Sequence, residues 1–395
     1  MDTFEKKLAE ATSYPNPQVL GVIATVIDRS GQPLYHHTSG SQCLTPSSPP
    51  INPNSTFVLG SAGKFITHIA ALQLVERGLL TLDSPVSDHL IELQDLQILR
   101  KSSSGEFQLT PAKKEITLRH LLSQTSGLTD EDHPLVKEWR EKRGENDTLV
   151  HGQWASYHPE FLKEAPKAGT FKTPLVFEPG EGWCYGANIE WIGALISRVL
   201  ERPLGRVIQE EIFAKLGMRS STYSPGERED VRERVLRMVE RKGEALVEGE
   251  GMLYGLVMSV PDLCTLFGDL MGESQLLGRE SLELFFEGQL VDSGRARKCL
   301  RGDTENYAAP AGIPSGMKEV PVNYSLGALV VDGKLPLSDI PKGTLTWNGM
   351  PNFIWAVHRE KGLGMIFATQ LLPVDDEKTV ELAMEFFRGA WGRFG

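Results

Sequence analysis

Phe57-Val58-Leu59-Gly60-Ser61-Ala62-Gly63-Lys64 decides how the rest of this chain is read. Apolar residues continue after it at Phe65, Ile69, Leu72 and Val75, a helical spacing that runs up to Gly78, a natural C-cap. The spacing predicts a helix from Ser61 to about Arg77. A serine in its first turn has its hydroxyl beside unsatisfied backbone N–H groups at the positive end of the helix dipole. A lysine three residues on shares its face. Serine needs an adjacent base to act as a nucleophile, and lysine is that base only where burial or a cationic neighbour brings its pKa down from about 10.4. The bare pattern S-x-x-K also describes a capping serine and a surface lysine. Phe65-Ile66 set Lys64 inside an apolar helix and favour the catalytic reading. A phosphate-binding P-loop is excluded, because Val58 and Phe65 stand where its glycine and Ser/Thr belong. No G-x-S-x-G elbow and no HExxH occur.

Upstream, residues 4–12 read as a short helix, and Val19 to Ile27 as a buried strand with Leu34 to Thr38 as its hairpin partner. Downstream, Thr117 to Leu122 is a capped helix ending at Ser126-Gly127, with His120 a satisfied helix residue. Residues 129–180 are polar, carry five prolines and lack periodicity, the character of a lid or substrate-facing segment. Ile189 to Leu200 and Val207 to Phe213 read as helices. Glu227 to Arg241 reads as a solvated helix with an apolar stripe at Val231, Val235, Met238 and Val239. Pro261 to Met271 is a helix capped by Ser259. Tyr324 to Val331, Gly343 to Trp347, Phe353 to Val357 and Leu363 to Thr369 read as strands, and Glu377 to Trp391 as a closing helix. Strands at both ends around a helical middle predict an α/β (α+β) fold whose sheet is assembled from both termini. The expected division is 1–85 with 226–395 as the sheet domain and 86–225 as an inserted, mainly helical domain, with the active site between them.

The 395 residues carry 52 acidic and 41 basic side chains, a formal charge of −11, which argues against a nucleic-acid binder. Cys43, Cys184, Cys264 and Cys299 are widely spread with no CxxC, which fits reduced thiols. The first eight residues have no apolar h-region and no long apolar run occurs, so the expectation is a cytoplasmic protein without a membrane span. No ligand cluster for a metal and no glycine-rich dinucleotide loop points to a cofactor.

With these residues in hand, a resemblance becomes visible. Phe57 to Lys64 resembles the nucleophile helix of the serine β-lactamase and penicillin-binding-protein superfamily, in its class C-like branch. Thr117-Leu118-Arg119-His120-Leu121-Leu122-Ser123-Gln124-Thr125-Ser126-Gly127-Leu128 is similar to that branch's "hLLtHTSGL" segment. Pro179 to Asn188 resembles its "PG-x-x-W-x-Y-S-N" segment. Within the branch, Trp183 to Trp191 and Thr344 to Trp355 look like the lovastatin-pathway acyltransferases (transesterases) of fungi, and the likeness runs from about Val19 to Trp391. The resemblance implies an antiparallel sheet flanked by helices. It also implies Ser61 as the acylated nucleophile, Lys64 and Tyr185 sharing the proton traffic, and the backbone N–H groups of Ser61 and Met350 as oxyanion hole.

Trp347-Asn348-Gly349 stands where relatives carry Lys-Thr-Gly or His-x-Gly. Loss of that cation argues against β-lactams, and a bulky indole suits an apolar acyl chain or polyketide ring. Asn188 follows Tyr185 by three residues where the branch has two, which separates it from the usual site amide. Trp347, Asn348, Gly349, Asn188 and Trp183 are the candidate substrate-binding residues. Core packing is the alternative for the tryptophans, for Trp355 above all. The expected function is acyl transfer or hydrolysis on an ester or thioester of a polyketide-type natural product, with an acyl carrier protein or coenzyme A thioester as possible donor. The alternatives are an esterase or thioesterase releasing a carrier-bound polyketide and, in another class, a non-catalytic ligand-binding homologue.

Overall fold

The computed structural model describes residues 1–130, 133–144, 174–249, 255–335 and 338–395. Its strands are β1 (Gly21–Ile27), β2 (Pro33–Gly40), β3 (Thr56–Val58), β4 (Gln97–Lys101), β5 (Phe107–Pro111), β6 (Val239–Lys242), β7 (Ala245–Glu248), β8 (Val257–Ser259), β9 (Val322–Tyr324), β10 (Leu329–Val331), β11 (Leu345–Gly349), β12 (Phe353–His358), β13 (Leu363–Ala368) and β14 (Leu371–Leu372). Seven of them form one antiparallel sheet in the order β2-β1-β13-β12-β11-β10-β9. Ile23 opposite Ala368 joins the two chain ends, and Trp347 lies opposite Trp355.

β1, β12 and β13 are buried along their whole length because both faces of the sheet are covered. On one face lie the helices Asp2–Ala11 and Glu377–Phe394, where Phe386 packs on Phe4 and Phe367 at 5.4 and 6.3 Å between ring centres. On the other lie Lys64–Glu76 and Val260–Met271, whose Phe65 and Phe267 stand 5.1 and 5.3 Å from Trp355. Trp355 is therefore a core residue, as its alternative reading had it.

Several elements depart from the sequence expectation. Gly60–Gly63 is a 3-10 turn and the α-helix begins at Lys64. That helix is buried from Phe65 to Leu74, so no single apolar stripe exists: it is the central helix, touched on all sides. Tyr324 to Val331 is two strands, because Ser325 Oγ accepts from the Gly327 and Ala328 N–H groups and turns the chain. Glu227 to Arg241 holds only one helical turn, Glu229–Arg232, before β6. Its apolar residues divide between two places: Val231 and Val235 pack with Val58 and Val257, and Val239 pairs with Leu371.

Inside the part expected to be mainly helical, β4 and β5 form a hairpin. Within 129–180, Pro134–Lys142 is a helix, since His133 caps it and Pro134 presets its first turn. The remainder of the lid-like reading falls mostly on 131–132 and 145–173, outside the described residues. Among the described residues no helix is long and apolar enough to cross a membrane.

Candidate active site

Ser61 lies in the 3-10 turn that joins β3 to the central helix, and the end of β11 is pressed against it. Trp355 Nε1 donates to the Ala62 carbonyl at 2.8 Å and fixes the turn from below. Gly60 has a φ of +52°, a left-handed conformation natural to glycine, and a β-carbon there would sit 3.3 Å from Met350 N. At Gly349 a β-carbon would fall on the Leu59 carbonyl oxygen and 3.0 Å from Ala62 N. Glycine at these two places lets the Met350 backbone come up beside Ser61. Met350 itself is 39% exposed.

Tyr185 reaches the same spot from the segment before helix Asn188–Leu200. That segment is held by residues 124–126: Cys184 N donates to the Gln124 carbonyl at 3.1 Å and Gly180 N to the Thr125 carbonyl at 2.8 Å. Asn188 is fully buried, accepts from Ser126 Oγ and donates to Gln124 Oε1 at 2.7 Å, so its amide ties the two segments together. Cys184 donates to Thr129 Oγ1 at 3.3 Å, and burial pushes its thiol up to about 11, which keeps it from competing as a nucleophile.

Lys64 Nζ stands 4.1 Å from the centre of the Tyr185 ring. Burial favours the neutral amine, but negative charge at Tyr185, Glu190 and Asp130 outweighs it and raises the Lys64 pKa above its ordinary value. The condition set for a lysine base, a depressed pKa, is therefore not met, and Lys64 remains an ammonium. The reason lies in groups far off in sequence, Tyr185 first and then the carboxylates of Glu190 and Asp130. Among the described residues Ser61 Oγ makes no hydrogen bond, and the enclosed Tyr185 Oη has the Lys64 ammonium beside it. Catalytic hydrogen bonds commonly close only when substrate is bound.

Around this centre the walls are aromatic. Trp347 is 5.2 Å from Tyr185 and 5.8 Å from Tyr324, and Tyr324 is 5.6 Å from Trp183. Asn348 donates to Asp375 Oδ1 at 3.4 Å, in the loop after β14. Sequence reasoning missed Glu190 and Tyr324. A signal existed for Glu190, a carboxylate in the otherwise apolar run Ile189 to Leu195; none existed for Tyr324, which reads as an ordinary strand residue.

The sequence model of the family described as Beta-lactamase matches residues 2–385. The chain belongs to the Beta-lactamase family. "Acyltransferase calJ" of Penicillium decumbens is 29% identical over 433 residues, covering 100% of this chain and 99% of the relative. "Lovastatin esterase" of Penicillium rubens is also 29% identical, over 93% of both chains. Unliganded simvastatin synthase (LovD) of Aspergillus terreus superposes with a TM-score of 0.84 at 26% identity, over 100% of this chain and 98% of that one. This Beta-lactamase family member is thus a serine acyl-transfer enzyme whose relatives include acyltransferases and an esterase.

Proposed function

We propose that this Beta-lactamase family enzyme moves an acyl group from an ester or thioester onto a hydroxyl of a polyketide-type molecule through an acyl-enzyme on Ser61. The observation that carries it is the Lys64 ammonium 4.1 Å over the Tyr185 ring, behind the serine turn. Ser61 Oγ attacks the acyl carbonyl and gives its proton to Tyr185 Oη, where the adjacent ammonium stabilises negative charge. The N–H groups of Ser61 and Met350 hold the oxyanion, worth about 3–4 kcal/mol per donor. The leaving group takes the proton from Tyr185, and the acceptor alcohol repeats the cycle in reverse.

Trp347, Trp183, Asn348 and Gly349 bound the substrate, and Asn188 acts as a positioning residue for Tyr185. The site lies between the sheet domain, 1–85 with 226–395, and the inserted domain, 86–225. The donor is a carrier-bound or coenzyme A thioester. Hydrolysis is the second reading, favoured by the equal identity of an acyltransferase and an esterase among the relatives.

Intact-protein mass spectrometry after mixing with short acyl thioesters tests the reading. Wild type gains the acyl mass and Ser61→Ala does not; decay of the adduct by added alcohol or by buffer alone then separates transfer from hydrolysis. Failure of a fluorophosphonate to label Ser61 would overturn it.

A further inference from the structure

Buried polar atoms in folded proteins nearly always have hydrogen-bond partners. One side chain of the aromatic box breaks that rule. Trp183 Nε1 is buried with no partner among the described residues. Beside it Tyr324 is 3% exposed as a residue, yet its hydroxyl makes no hydrogen bond to a described residue and is not sealed off, so it is open to a ligand. Its ring is held between Trp183 at 5.6 Å and Trp347 at 5.8 Å, which fixes where the hydroxyl points.

The reaction occupies Tyr185 Oη. Trp183 Nε1–H can only donate. Burial, with the neighbouring charge at Tyr185, holds the Tyr324 phenol well above its ordinary pKa, so it too is a donor at working pH. Two fixed donors set among aromatic rings fit a ligand that carries oxygen acceptors on a hydrophobic body.

We propose that Tyr324 determines acceptor specificity by donating a hydrogen bond to a second oxygen of the acyl acceptor, one that does not react, and so selects polyoxygenated alcohols over simple ones. This rests on the Ser61 acyl-enzyme reading. In the transfer step the reacting hydroxyl oxygen forms the new C–O bond to the acyl carbon and its proton passes to Tyr185 Oη. The Ser61 Oγ–C bond then breaks and Ser61 Oγ takes that proton back. Tyr324 keeps its own proton throughout.

The experiment compares wild type with Tyr324→Phe, which keeps the ring between Trp183 and Trp347 and removes only the hydroxyl. Both are first acylated to completion with a butyryl thioester, followed by mass. Release of the acyl group is then timed with cyclohexanol and with cyclohexanediol. Wild type should prefer the diol, and Tyr324→Phe should lower the diol-to-monool rate ratio by about tenfold to a hundredfold, the range of one lost hydrogen bond at a buried site. An unchanged ratio, no diol preference in wild type, or an equal slowing with both acceptors would overturn the proposal while leaving the acyl-enzyme standing. Absence of any adduct on wild type would sink the Ser61 reading and this inference with it.

Discussion

Lys64 and Tyr185 divide the proton chemistry by charge. Because Glu190 and Asp130 reinforce the lysine cation, the group left to accept the Ser61 proton is the phenol oxygen beside it. Tyr185→Phe keeps the ring under the ammonium and removes the acceptor. Acylation by a thioester, followed by stopped-flow or mass, should fall about 10²–10⁴-fold with little change in thermal midpoint. Glu190→Gln removes one of the charges that hold Lys64 protonated, so the Lys64 pKa must drop. The high-pH limb of the acylation rate should therefore move to lower pH, and Glu190→Asp should restore most of it. An unmoved limb would show that Glu190 does not act through Lys64. Ser61, Lys64 and Tyr185 were readable from their motifs, but the charge state of Lys64 was not. It depends on side chains at 130, 185 and 190 that only the fold brings to position 64.

At the scale of elements, two contacts hold the site's frame. β11 ends against the serine turn only because Gly349 has no side chain. Gly349→Ala would push its methyl group into the Leu59 carbonyl and Ala62 N, at a cost of about 1–3 kcal/mol. Urea unfolding should register that loss, and acyl-enzyme formation should fall with it as Met350 N is displaced from Ser61.

The hairpin β6–β7 is tied to the closing helix by Arg241 and Asp376, whose side chains are 11% and 3% exposed. Asp376 also caps that helix through the Thr379 N–H at 3.0 Å. Asp376→Ala leaves the arginine with the Gln18 carbonyl but no counter-charge and uncaps the helix, so it should destabilise by about 3–5 kcal/mol in the same assay. The sequence patterns for β1, β12 and β13 were legible as unbroken apolar runs, and those of the two terminal helices as amphipathic repeats. Residues 227–241 misled because charge alternation dominates there while Val231 and Val235 pack on Val58 and Val257 and Val239 belongs to a strand. Tyr324 to Val331 misled because Ser325 makes its turn with a side-chain hydroxyl rather than a turn motif.

Over the whole molecule, a sheet built from both chain ends makes stability depend on contacts between distant segments, and one of them is titratable. His68, one helical turn beyond Lys64, is buried and its Nδ1–H donates to the Leu326 carbonyl at 3.0 Å, joining the central helix to the β9–β10 turn. Burial, with the Lys64 charge nearby, lowers its pKa to about 4. His36, His120, His133 and His358 are also lowered, burial being the first cause in each. Below the ordinary histidine pKa of about 6.5 the unfolded chain takes up protons at these sites that the native state refuses. Stability is therefore complete above about 6.5 and is lost as pH falls toward 4; His68 alone accounts for on the order of 3 kcal/mol of that loss. Asp376, held below the usual carboxylate range, keeps its contribution until lower pH still. Urea unfolding at about pH 7 and about pH 4 should show a steep loss for wild type. His68→Gln should be weaker at neutral pH but lose distinctly less on acidification; an equal loss in the two proteins would place the acid sensitivity elsewhere.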